Sequence, residues 1–153
     1  MPFENLFKKN KIKPETKKVG KENLPVNELV NSKIILFGRQ EDFEDGTLQK
    51  EYEELLEKRI FLKQKDEFIS WLNKENGVNI NTPIKVLINT NGTVEIHMDG
   101  NKRMFAAYKL GILPKDIPVK CSQYNYGFMP SDIADVANTN LSTVLQKVFE
   151  IKK

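Results

Sequence analysis

Five consecutive residues hold the densest chemistry in the chain: Asp99, Gly100, Asn101, Lys102 and Arg103. They lie where the residue periodicity changes. Before them, Val94, Ile96 and Met98 alternate with Glu95, His97 and Asp99, the pattern of a half-buried strand. After them, Met104, Ala107, Tyr108 and Gly111 recur at helical spacing, with Gly111 as the stop. A strand-to-helix junction leaves the first N–H groups of the helix without intrahelical partners. The macrodipole adds partial positive charge at that end, and Gly100 admits a close backbone approach. Lys102 and Arg103 oppose the dipole there, an opposition that a bound anion would offset. The chemistry is therefore anion binding, phosphate above all, with Arg103 as a planar donor fork. The plain alternative is a turn at Asp99-Gly100, an N-cap at Asn101 and a solvated first turn.

Two further groups could serve the same site. His97 and Glu95 share a strand face with Asp99, so they could set a base and carboxylates beside a phosphate. The same spacing also describes the ordinary polar side of a hairpin. Arg39 follows Gly38 and precedes an acid-rich stretch, Glu41 to Gly46, in a chain with only 3 Arg against 21 Lys. Cys121 reads as a small buried hydrophobe rather than a reactive thiol. It is the only cysteine and His97 the only histidine. Those counts exclude an internal disulfide, a Cys-based zinc cage and a multi-histidine metal site.

The elements that must position these residues are legible in outline. Ile84–Asn89 and Thr93–Met98 flank Asn91-Gly92, the pair favoured in two-residue hairpin turns. Leu24-Pro25-Val26 reads as a short extended opening, Asn27–Val30 as a helical turn, and Ile34–Phe37 as a buried strand or packed loop. Glu41–Gly46 reads as an acidic loop. Leu48, Tyr52, Leu55 and Leu56 predict a helix from Thr47, its N-cap, to about Phe61. A second helix fits Asp66–Lys74, capped by Asp66 and stopped by Asn76-Gly77, with Trp71 as a core anchor. Ile117–Cys121 returns as a strand. Two helices then follow, one over Asp132–Ala137 and one over Leu141–Ile151 capped by Asn140. The fold class expected is mixed α/β, a mixed sheet flanked by helices.

With 153 residues the chain suits one domain plus a tail. The net charge of +3 is unevenly placed, because seven lysines before Asn23 make a basic arm of about +4 on a nearly neutral remainder. The arm (residues 1–22) reads as a solvated tail or as a tether to nucleic acid or other phosphates. No apolar run approaches a membrane span and no signal h-region is evident, so a cytoplasmic protein without a membrane partner is expected.

The run Ile96-His97-Met98-Asp99-Gly100-Asn101-Lys102-Arg103-Met104-Phe105-Ala106-Ala107-Tyr108-Lys109-Leu110-Gly111 resembles the signature of the ParB/sulfiredoxin superfamily. Its usual form is an apolar strand, Asp-Gly-Asn/His-His-Arg, a helix with small Ala pairs, and Leu-Gly. Ile117-Pro118-Val119 is similar to the strand after that helix. Leu24–Leu29 looks like the opening strand and its turn, and Phe68–Val78 like the helix before the Pro83–Val86 strand. The resemblance spans residues 23–122, with a helical insertion over 45–75 and a helical C-terminal tail over 123–153.

What the resemblance implies is a ParB-like domain that binds a nucleotide (ATP, CTP or ADP), with Mg²⁺ as the accompanying cation. Gly100, Asn101, Lys102 and Arg103 would contact its phosphates, Asp99 would orient the loop or a metal, and Arg39 would lie near the nucleotide. Glu28 is in the neighbourhood of a glutamate that the serine-kinase branch uses. Lys102 stands where His is common and Asn101 where sulfiredoxin has its cysteine, so sulfinic-acid repair is not expected. Phosphoryl transfer or nuclease-like phosphodiester hydrolysis is the reaction class implied, with Asp99, His97 and Glu28 as candidate catalytic groups. The alternative is a degenerate, non-catalytic interaction module using the acidic helix and the tail. A partition-type DNA-binding role ranks below both, because no helix-turn-helix follows the core. A homodimer is compatible with any of these.

Overall fold

The hairpin expected around Asn91-Gly92 forms the middle of a five-stranded mixed sheet. The computed structural model describes residues 20–58, 63–78, 83–97, 99–121 and 139–152. In chain order the elements are α1 (Val26–Asn31), β1 (Ile35–Leu36), α2 (Gln40–Glu44), α3 (Thr47–Glu57), α4 (Lys65–Val78), β2 (Ile84–Ile88) and β3 (Val94–Ile96). They continue with α5 (Asn101–Leu110), β4 (Pro118–Cys121), β5 (Thr139–Asn140) and α6 (Leu141–Lys152). The strand order is β1-β3-β2-β4-β5. β1 runs parallel to β3 and β4 parallel to β2, while β2–β3 and β4–β5 are antiparallel. The fold is a mixed α/β domain.

Register decides which face is core. Ile35, Val94 and Ile88 align across three strands, as do Ile96, Val86 and Cys121, and Ile84 aligns with Val119. All are buried in one cluster with Leu29, Met104, Ala107, Leu141, Val144 and Leu145 from the helices. Each Val, Leu, Ile or Met among them contributes about 1.5–3 kcal/mol by leaving water. The opposite face carries Lys85 and Lys120, both exposed, and half-buried Glu95. Trp71 packs beside buried Phe68 with ring centres 5.9 Å apart, which supports its reading as a core anchor.

Several elements depart from expectation for identifiable reasons. Leu24 and Pro25 are extended but pair with no strand among the described residues, and Val26 already begins α1. The acid-rich stretch is no loop: residues 40–44 are helical, and Phe43 stacks on Phe37 at 4.9 Å. Thr47 is the first helical residue rather than the cap. Gly46 at φ +90 precedes it, and the Thr47 N–H donates to Asp45 Oδ1 at 2.9 Å. The Thr47 hydrogen bonds hold the Asp45 carboxyl below its ordinary range. α3 ends at Glu57, short of Phe61, and α4 begins one residue before Asp66 and runs through Gly77. The hairpin loop has three residues, since Asn89 N–H bonds Thr93 O and Gly92 N–H bonds Asn89 O. Gly92 is left-handed (φ +86) and Asn91 is not, which is a type I turn with a glycine bulge instead of a two-residue turn.

At the C-terminus, Asn140 caps α6 as expected, its Oδ1 accepting the Thr143 N–H at 2.9 Å. Thr139 and Asn140 add a short edge strand on β4. α6 is no appendage, because Leu141, Val144 and Leu145 are fully buried. The arm through Val19, the helix expected over Asp132–Ala137, Phe61 and Met98 lie outside the described residues.

Candidate functional site

The chain leaves β3 with one more ladder bond, from His97 N–H to Lys85 O at 2.8 Å, and then turns through Asp99 and Gly100 into α5. Gly100 sits at φ +115, and a Cβ there would lie 2.9 Å from Ile84 Cγ2. Backbone conformation and crowding therefore both require glycine at this position. Met104 N–H bonds Gly100 O at 2.9 Å and opens the helical ladder. Among the described residues no side chain caps the helix, and its first turn holds no acidic residue. The first-turn N–H groups and the positive dipole end lie at buried Gly100 and Asn101, followed by Lys102, which is exposed, and Arg103, which is half-buried.

Asn101 belongs to the helix and leaves its start uncapped. Its side chain turns away and accepts the Gly38 N–H on Oδ1 at 3.2 Å, joining residues 63 positions apart. Asn101 is only 7% exposed. A Cβ on Gly38 would collide with the Ile96 carbonyl. The connection after β1 is thereby clamped onto the exit of β3 and the start of α5. Arg39, the next residue, comes to the same end of the molecule as Lys102 and Arg103.

The clamp is continued by aromatic packing. Phe37, Phe43 and Phe105 form one group, with Tyr52 and Tyr108 at 5.8 and 5.7 Å from Phe105. This group ties α2 and α3 to α5 and brings two carboxylates to the loop. Asp42 pairs with Arg39, and Glu51 lies 3.9 Å from Lys102 Nζ. Sequence reasoning missed both partners. The available signal was the position of Glu51 three residues after Leu48 and next to Tyr52, on the flank of the apolar stripe.

Of the candidate residues, Gly100, Asn101, Lys102, Arg103 and Arg39 meet at this end, with exposed Asp99 and half-buried His97 leading into it. Glu28 does not. α1 lies against the other end of α5: Val26 N–H bonds Ile112 O, and Tyr108 Oη donates to Asn31 Oδ1 at 3.4 Å. Ten residues of helix, about 15 Å, separate that end from Gly100. Glu95 accepts a long hydrogen bond from Asn89 Nδ2 at 3.4 Å and belongs to the hairpin. Burial pushes the Cys121 thiol up to about 11, so it is protonated at neutral pH and is no nucleophile there.

Among the described residues, no group of three His, Cys, Asp or Glu could hold a metal ion, and no helix is long and apolar enough to cross a membrane. The chemistry gathered at this end, first-turn N–H donors with Lys102 and Arg103 beside them and Arg39 on the adjoining connection, is of the kind that suits an acceptor-rich anion. No protein-family model matches the chain, and no curated protein and no solved structure does either.

Proposed function

We propose that this is a divergent ParB/sulfiredoxin-like domain that binds a nucleotide or another phosphate-bearing ligand at Gly100–Arg103. The observation that carries the reading is the uncapped start of α5, where two cations stand against the dipole behind a buried, left-handed glycine. Such an end is less stable than a capped, acidic one, and a phosphate group would reverse that balance. Arg103 and Lys102 supply charge, Arg39 closes the side, and Mg²⁺ would accompany a polyphosphate. Asp99 and His97 flank the ligand if phosphoryl transfer or phosphodiester hydrolysis follows; positioning and charge neutralisation would carry most of that catalysis. Glu28 has no part in it.

The test is calorimetric titration of ATP, CTP, GTP and ADP with Mg²⁺. At least one should bind saturably to the wild-type protein, with affinity at least tenfold lower in Arg103→Ala. No binding of any nucleotide would contradict the reading, and unchanged binding in Arg103→Ala would move the site elsewhere. The second reading, a non-catalytic interaction module, draws on the exposed Glu41, Glu44, Glu53, Glu54 and Glu57 of α2 and α3. That reading predicts no nucleotide binding at all.

A further inference from the structure

We draw no further inference here: the strongest candidate, the exposed acidic face of α2 and α3 (Glu41, Glu44, Glu53, Glu54 and Glu57), is a cluster of carboxylates that belongs to the interaction-module reading already described, and nothing among the described residues shows what covers it.

Discussion

Two helices begin next to an asparagine and use it in opposite ways. Asn140 stands just outside α6, and its Oδ1 accepts both the Thr143 N–H and the Thr143 hydroxyl. Asn101 stands one position further in, as the first residue of α5, and sends the same oxygen to a loop 63 residues away. The α6 start is closed locally, whereas the α5 start has no side-chain cap among the described residues and carries Lys102 and Arg103 in its first turn. The other end of α5 shows no such neglect. Gly111 is left-handed at φ +65, Ile112 N–H bonds Ala107 O at 3.0 Å and Gly111 N–H bonds Tyr108 O at 3.3 Å, closing the terminus by the usual glycine motif. One helix therefore has a terminus arranged for stability and another that is not, which places the departure at the proposed site instead of in the helix as a whole.

The comparison can be strained from several sides. Gly100→Ala should be the most damaging, because the φ of +115 and the contact with Ile84 both resist a Cβ. A loss of about 2–4 kcal/mol in urea unfolding is expected. Next, Asn101→Ala frees the Gly38 N–H in a part-buried setting and should destabilise by about 1–3 kcal/mol. Asn140→Ala removes only a local cap and should cost about 1 kcal/mol. If the asparagine effects ranked the other way, Asn101 would not be the long-range clamp described. The smallest effect has the opposite sign. Lys102→Glu should stabilise the unliganded protein by about 0.3–1 kcal/mol, read as a raised melting temperature, because it turns a charge to suit the dipole. That gain is reduced by the loss of the exposed Glu51 pair and the new repulsion beside it. The same substitution should abolish phosphate binding. A Lys102→Glu protein that kept its affinity would break the link between the uncapped helix start and the ligand.

Legibility in the sequence followed the range of the forces. Strands β2 and β3 and helix α5 were readable because alternation, the Asn-Gly pair and Gly111 are local signals. The core positions Val94, Ile96, Met104 and Ala107 followed from them. β1 and β5 are two residues each, too short for any period to appear, and exist through pairing with β3 and β4. The α2 helix was hidden among Glu41, Asp42 and Glu44, whose charges suggested a loop. It is held by a single aromatic, Phe43, against partners that only the fold supplies. At the site, the loop itself was legible as a strand-to-helix junction bearing Lys102 and Arg103. Its surroundings were not, because the Gly38–Asn101 bond and the Lys102–Glu51 pair join residues far apart in the chain. Glu28 illustrates the limit: proximity to an early element in sequence carried it to the wrong end of α5.

The most direct measurement is a two-dimensional amide NMR titration of the ¹⁵N-labelled protein with ATP and Mg²⁺, following every backbone N–H. Binding at the uncapped start of α5 predicts saturable shifts concentrated at Gly100, Asn101, Lys102, Arg103 and Gly38, with Gly111 and the start of α6 unmoved. Absence of shifts at Gly100–Arg103 through saturation, or shifts centred on another part of the molecule, would contradict it.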